Sequence, residues 1–121
     1  NSGLCALAFT VHLTLLGEEG LRRLAAENHR LACIAADRLA LLPGVTVVND
    51  SFFNEFTVTL GRDAREVVRT LVDRKVIAGV SLGRLYPDEP QLHEGLVVAI
   101  TETTTEEDIE TLCSALKEVL A

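Results

Sequence analysis

The stretch VTVVNDSFFNEFTVTL, residues 45–60, decides the fold class. In its second half Phe56, Val58 and Leu60 alternate with polar residues, which is typical of a strand with one buried and one more polar face. Its first half opens with a short β-branched run, residues 45–48, which predicts another strand. Adjacent strands of this kind predict a sheet that is antiparallel or mixed and is covered by a second layer.

Amphipathic helices are predicted on both sides of these strands. Upstream, a helix begins near residues 18–19, which are acidic, and stops at residues 43–44, which are Pro and Gly. The positions that recur at helical spacing within it are Leu21, Leu24, Asn28, Leu31, Ala35, Leu39 and Leu42. Downstream, Asp63 followed by Glu66 matches a capping box, and that helix ends at residues 74–75. Its core-facing stripe is Ala64, Val67, Val68, Leu71 and Val72.

The remaining part of the chain predicts two more strands and a last helix. Residues 76–82 and residues 96–100 are the strands, and the stretch Gly79-Val-Ser-Leu-Gly83, including Gly83 itself, is expected to bend where a Cβ would clash. Thr105 begins the last helix, whose core-facing residues are Ile109, Leu112, Cys113, Leu116 and Leu120. The element order α-α-β-β-α-β-β-α predicts an α/β (two-layer α+β) fold in which helices cover a mixed or antiparallel sheet.

Residues 3–16 differ from the other helices because they are apolar on nearly all sides. A helix of this kind is expected inside a core or under a neighbour, and Gly17 can end it in a left-handed conformation. The chain contains no Met, so we expect a piece of a longer chain whose other part covers this helix. Cover by a second copy is the alternative, and it predicts self-association.

Composition and charge exclude several classes of function. The chain has 121 residues, 11 of them basic and 18 acidic. This balance argues against nucleic-acid binding, which draws its affinity from clustered Lys and Arg. No apolar run reaches the ~18 residues of a membrane-spanning helix, so no membrane partner is expected. Cys5, Cys33 and Cys113 lack the spacing of a zinc site or a disulfide framework, which predicts reduced thiols in a cytoplasmic protein.

The sequence shows no complete catalytic or metal site. His29 and Cys33 share a helix face at i, i+4, but two ligands do not close a zinc site. Lys75 and Lys117 lie at the C-terminal ends of predicted helices, where a cation complements the helix dipole, so neither is expected to anchor pyridoxal phosphate. We therefore predict no catalytic, cofactor-binding or metal-binding residue in this chain.

Candidate interface residues lie in two short segments. Asn54 and Glu55 are adjacent strand positions that point to opposite faces, so at least one of them meets a neighbour, and Phe56 follows them. Arg84 and Tyr86 lie where a strand gives way to a loop, and a guanidinium can hold a carboxylate in two bonds. All five are predicted to contact a missing domain or a partner subunit. The alternatives are a plain strand edge and a surface Arg paired with a nearby carboxylate.

Five stretches of the sequence are similar to one known family. They are Gly3-Leu-Cys-Ala-Leu-Ala8, Leu15-Leu-Gly-Glu-Glu-Gly-Leu21, Phe52-Phe-Asn-Glu-Phe56, Leu82-Gly-Arg-Leu-Tyr-Pro87, and Leu96-Val-Val-Ala-Ile-Thr-Glu102 with residues 105–112. Because these occur in the same order and spacing along nearly the whole chain, the sequence resembles the C-terminal small domain of the glycine cleavage system P-proteins. The resemblance is to the first subunit of the two-subunit form of glycine dehydrogenase (decarboxylating).

This resemblance implies an aminotransferase-like small domain of fold-type I, residues 17–121, preceded by the end of an interdomain helix, residues 1–16. It implies a parent oxidoreductase that uses pyridoxal phosphate, decarboxylates glycine and passes the aminomethyl group to the lipoyl group of H-protein. The cofactor lysine is implied to belong to the partner, glycine dehydrogenase subunit 2.

Two departures from related enzymes limit what is carried over. Related aminotransferases hold a substrate carboxylate with an Arg near residues 96–101, where this chain has none, and Leu85 stands where the family commonly has an aromatic residue. No catalytic role is therefore carried over onto any residue.

A free-standing ferredoxin-like or small-ligand regulatory module is the alternative hypothesis, since alternating strands and amphipathic helices suit that architecture too. The lack of an initiator Met and the apolar residues 3–16 disfavour it.

Overall fold

The computed structural model describes residues 1–121 and shows helices packed on one face of a small sheet. The elements are α1 (Ser2–Ala40), β1 (Thr46–Val47), β2 (Glu55–Thr59), α2 (Ala64–Asp73), β3 (Val80–Ser81), α3 (Leu82–Leu85), a 3₁₀ turn (Pro90–Leu92), β4 (Gly95–Ala99) and α4 (Glu106–Leu120). The α/β fold class and the predicted order of the main elements are confirmed, with α3 and the 3₁₀ turn as additions.

All strand pairs are antiparallel, in the spatial order β1-β2-β4-β3. In the central pair Phe56 lies opposite Val98, and Val58 lies opposite Leu96. These four side chains share the face that the helices cover, and each is at most 2% exposed. The residues between them, such as Thr57, point to the other face and are only partly buried.

The core combines this face of the sheet with α2, α4 and the second half of α1. Its largest fully buried side chains are Leu39, Leu71, Leu96, Ile109, Leu116, Val58, Val67 and Val98. Burying one such aliphatic side chain contributes about 1.5–3 kcal/mol relative to leaving it exposed. The buried residues of α1 begin only at Leu31, so the first half of that helix adds almost nothing to this core.

Gly17 divides α1 into two helical segments. Its φ of 64° and ψ of −178° are not helical, which confirms the predicted interruption, although the helix resumes at once. We call residues 2–16 the N-terminal arm. Asn1 is its N-cap, and the Asn1 side chain accepts a hydrogen bond from the Leu4 amide at 2.8 Å. Most of the arm is exposed, including the side chains of Leu4, Leu7, Phe9, Val11 and Leu15.

By length and composition alone, α1 is suited to crossing a membrane. It contains an 18-residue window with a mean hydropathy of 1.3, none of which is buried in this fold. The expectation that no apolar stretch reaches that length is therefore wrong, because the apolar residues 3–16 keep the mean hydropathy high when a window of 18 residues extends past Gly17. Helices enclosed by protein have the same length and composition, so this property alone does not assign a membrane.

The cap of α2 differs from the predicted capping box. The Asp63 carboxylate accepts from the Arg65 amide at 2.9 Å and also from the Arg65 guanidinium, so Arg65 takes the place expected for Glu66. A complete capping box does occur at α4. There the Thr105 hydroxyl accepts from the Asp108 amide and the Asp108 carboxylate accepts from the Thr105 amide.

The predicted strand over residues 76–82 is wrong except for Val80–Ser81. Lys75 adopts a φ of 62° just after α2, which turns the chain away from the extended course of the sheet. Gly79, at a φ of 146°, passes so close to β4 that a Cβ there would overlap the Val97 carbonyl oxygen. This confirms the Cβ clash expected at Gly79. The bend expected at Gly83 is wrong, because after Ser81 the chain turns into α3 and Gly83 lies inside that helix.

Candidate functional site

The five predicted interface residues do not form one surface. Glu55 lies opposite Ala99 at one end of the β2–β4 pair, whereas Thr59 lies opposite Gly95 at the other end. Arg84 and Tyr86 follow β3, which pairs with β4 near the Gly95 end. At about 3.4 Å per residue the two ends of the ladder are about 14 Å apart. Two separate surfaces therefore replace the single predicted one.

At the first end, two of the three predicted residues are used within the fold. The Asn54 side-chain amide donates to the Ile100 carbonyl at 3.1 Å, and the Asn54 carbonyl accepts from the Ile100 amide at 2.9 Å. Phe56 is only 2% exposed because strand alternation places it on the helix-covered face, where its ring lies 5.0 Å from that of Phe52. Glu55, on the opposite face, is the exposed member of this group.

The second end presents an open surface. Arg84 and Leu85 form the last half of α3, and the Tyr86 amide closes this single turn by donating to the Leu82 carbonyl at 2.8 Å. Leu85 is 53% exposed and Tyr86 51% exposed. Arg84 makes no ion pair, so the guanidinium is free to meet an external carboxylate. The alternative of a surface pair with Asp88 or Glu89 is not observed.

A third surface, which the predicted site residues did not include, is the N-terminal arm itself. Its exposed apolar side chains lie on several sides of the helix, as the sequence pattern predicted. Where the arm meets the rest of α1, an open cleft of about 570 Å³ is lined by Leu15, Leu16, Gly20, Arg23, Leu24, Glu27 and Glu102. Exposed apolar area of this extent is typical of a surface that another protein element covers.

Ion pairs fix the second half of α1 to α4. The Glu106 carboxylate lies 3.6 Å from the Arg30 guanidinium and 3.5 Å from that of Arg38, and Glu110 lies 3.8 Å from Arg38. Arg30 also holds Glu27 at 2.8 Å, and this hydrogen bond lowers the pKa of Glu27. The polar cross-links therefore lie beyond Gly17 and leave the N-terminal arm without a charged tether.

A further hydrogen bond joins α1 to the loop after β4. The Asn28 side-chain oxygen accepts from the Glu102 amide at 2.7 Å, while the side-chain amide donates to the Leu24 carbonyl. The position of Asn28 on the core stripe of the predicted helix was the available signal for this link.

The two lysines do not fit the attachment of pyridoxal phosphate. Lys117 is exposed in the last turn of α4. Lys75 is exposed after α2 and borders a cleft of about 300 Å³, whose other charged residue is the carboxylate of Asp108. A phosphate group needs further donors or cations rather than a carboxylate. No set of three His, Cys, Asp or Glu side chains is placed to bind a metal ion.

Comparisons with known proteins agree over the whole chain. A family model described as "Glycine cleavage system P-protein" matches residues 1–116. The chain is 74% identical over 121 residues to "Probable glycine dehydrogenase (decarboxylating) subunit 1" of Erythrobacter litoralis. The aligned residues are 100% of this chain and 27% of that protein. The chain thus spans about a quarter of the length of the curated relatives it matches.

Solved structures also match this chain. A crystal structure of glycine decarboxylase (P-protein) of the glycine cleavage system, in inhibitor-bound form, matches with a TM-score of 0.80 and 34% identity, covering 90% of this chain and 24% of that one. An aminotransferase of Streptoalloteichus hindustanus shares the fold at 18% identity and a TM-score of 0.66, covering 87% of this chain and 35% of that one.

Proposed function

The chain belongs to the glycine cleavage system P-protein family, and from this premise we propose that it is the C-terminal small domain of subunit 1 of a two-subunit glycine dehydrogenase (decarboxylating). In this proposal residues 1–16 are the end of an interdomain helix and residues 17–121 are the small domain. The observation that supports it best is the match at a TM-score of 0.80 to a P-protein over 90% of the chain. The free-standing module is not supported.

The proposed parent protein is a cytoplasmic oxidoreductase that decarboxylates glycine with pyridoxal phosphate. It passes the aminomethyl group to the lipoyl group of H-protein and works together with glycine dehydrogenase subunit 2. When bound, pyridoxal phosphate withdraws electrons from the bond that breaks at the glycine α-carbon. Since neither Lys75 nor Lys117 fits cofactor attachment, we assign the cofactor lysine to the partner subunit and derive no chemical step from this chain.

The proposed role of this chain is to complete the enzyme by packing. The N-terminal arm offers apolar side chains on several sides, which suits a helix enclosed between two domains. The exposed turn with Arg84 and Tyr86 offers a second, polar contact toward a domain or subunit. Burial of these two surfaces would fix the orientation of the small domain relative to the rest of the enzyme.

Exchange of glycine carboxyl with labelled bicarbonate tests the activity. Complete subunit 1, subunit 2 and H-protein are mixed with pyridoxal phosphate, and the exchange is expected only when both subunits and H-protein are present. Subunit 1 truncated to remove these 121 residues serves as the matched control and should not support exchange. Full exchange with that shortened subunit would contradict the proposed role of this domain.

A further inference from the structure

One edge of β4 has no partner strand at Ala99. The Ile100 amide donates to the Asn54 carbonyl at 2.9 Å, on the side of β2. Neighbouring residues of an antiparallel strand direct their main-chain groups to opposite sides, so the amide and carbonyl of Ala99 point away from β2. On that side β3 begins only at Val80, opposite Val97, and no main-chain hydrogen bond joins Ala99 to the residues before Val80. An open strand edge of this kind is a template for pairing with another extended segment.

The cleft of about 300 Å³ that Lys75 borders lies beside this open edge. Ala99 lines it, and residues 75–78 form its other wall after the turn at Lys75. Within that wall Ile77 is 88% exposed, more than any other large hydrophobic side chain of the chain. An extended segment suits this combination, because its main chain can pair with the strand edge while one of its side chains packs on the isoleucine.

The charges of the cleft indicate what kind of segment fits. Lys75 and Asp108 are its only charged lining residues, and their charges are opposite. The other lining residues are apolar or threonines. An uncharged, mainly apolar segment therefore fits better than an acidic or a basic one.

The cleft also lies next to the point where the N-terminal arm joins the domain. The loop after β4 separates the two places, since Glu102 lines the cleft at the base of the arm, whereas Thr103 and Thr104 line the cleft at Ala99. In the proposed function the arm connects this domain to the preceding part of the same protein. A tethered neighbour acts at a high effective concentration, so the preceding part is favoured over a separate molecule as the occupant.

We propose that an uncharged, extended segment of the preceding part of the same protein docks in this cleft, pairs its main chain with Ala99 and covers Ile77. The inference rests on the proposed function, because it requires a further domain upstream of the arm. The segment occupies the place beside β4 that residues 76–78 leave empty when they diverge from the sheet. It adds to the contact made by the arm and holds the domain at a second point.

Hydrogen–deuterium exchange of the complete protein, resolved to single amides by fragmentation in the mass spectrometer, tests the pairing. The Val98 and Ile100 amides face β2 in the same strand and serve as internal standards. If the segment is bound, the Ala99 amide should exchange within about tenfold of these two, whereas an open edge should make it exchange at least about 100-fold faster. Fast exchange at Ala99 beside slow exchange at Val98 and Ile100 would overturn the proposal.

Two variants of the complete protein test the cover of Ile77. Ile77→Ser removes an apolar contact of the segment and should make the Ala99 amide exchange about tenfold faster without changing Val98. Leu41→Ser is the matched control, because Leu41 is 83% exposed but follows the far end of α1, and it should leave both rates unchanged. The same rate at Ala99 in the wild type and in Ile77→Ser would overturn the proposal.

The remaining outcomes identify a different occupant. Slow exchange at Ala99 that depends on protein concentration would assign the cleft to a second copy, and slow exchange only after subunit 2 is added would assign it to that subunit; either result overturns the proposal. The bicarbonate exchange assay is run on the same samples. Fast exchange at Ala99 in an active enzyme contradicts this inference alone, whereas an inactive protein with a slowly exchanging Ala99 contradicts only the proposed activity.

Discussion

Truncation of Phe9 tests whether the N-terminal arm is covered in the complete protein. Phe9 is 64% exposed in this chain, and a phenylalanine buries roughly 150–250 Å² when it is enclosed, so cover by a neighbour would remove about 100–160 Å² from water. At about 25 cal/mol per Å² this burial contributes about 2.5–4 kcal/mol. Because alanine keeps a Cβ, Phe9→Ala should lower the free energy of unfolding of the complete protein by about 2–3 kcal/mol.

In the 121-residue chain alone the same substitution should have the opposite or no effect. No packing is lost there, and alanine is the better helix former by about 0.5 kcal/mol. Urea unfolding of both proteins, with and without Phe9→Ala, measures the difference. The assay is run at two protein concentrations, since cover by a second copy would make the stability of the shorter chain depend on concentration.

Leu116→Ala is the matched control because Leu116 is fully buried in the core of this chain. It should destabilise both proteins by about 2–5 kcal/mol. Equal stability of the complete protein with and without Phe9→Ala, in an experiment where Leu116→Ala is destabilising, would refute the reasoning. The N-terminal arm would then be an exposed helix in the whole enzyme.

Three further substitutions test the polar and backbone features. Gly79→Ala should destabilise the fold by about 1–3 kcal/mol in urea unfolding, because the new Cβ meets the Val97 carbonyl oxygen; Gly20→Ala, approached only by the Leu16 side chain, is its control and should be nearly neutral. Arg65 holds the pKa of Asp63 at about 2, below its ordinary 3.8, so this carboxylate stabilises the fold above its unfolded pKa and loses that effect as the pH falls toward 2. Asp63→Asn should therefore lower the urea midpoint at about pH 6 but hardly at about pH 2, and equal shifts at both would contradict this. Arg84→Ala should leave the melting temperature unchanged because Arg84 makes no ion pair, yet reduce subunit assembly or glycine decarboxylation in the complete enzyme; wild-type values for both would remove Arg84 from the interface.

Elements set by local sequence were predictable. The alternation at Phe56, Val58 and Leu60 identified β2 and its buried face, since side chains of a strand point to alternate sides whatever the rest of the fold. Thr105 identified the start of α4, because a threonine hydroxyl at that position accepts from a backbone amide within the first turn. The family resemblance, which used the order of five stretches, is confirmed by the family model and the P-protein structure.

Features that depend on distant backbone were not predictable. Residues 76–79 lie outside the sheet because the chain turns at Lys75, and Gly79 passes close to the Val97 carbonyl, a contact that the local pattern does not contain. The strand order β1-β2-β4-β3 placed Asn54 and Arg84 at opposite ends of the central pair, and sequence periodicity carries no information on that order. At the start of α2 the Asp63 carboxylate accepts from Arg65 and does not pair with Glu66 as predicted. This difference depends on side-chain geometry rather than on spacing.

Because Gly17 is the single non-helical residue between the N-terminal arm and the rest of α1, a change in its backbone dihedrals reorients the whole arm. Fifteen helical residues at about 1.5 Å each make the arm about 22 Å long. It joins the domain through one residue in a left-handed conformation, around which a Cβ would meet no atom within 4 Å. For an arm of this length, a change of about 10° in the angle between the two helical segments therefore moves the far end of the arm by about 4 Å. Small adjustments of a single pair of backbone dihedrals are thus amplified to the scale of a side-chain contact.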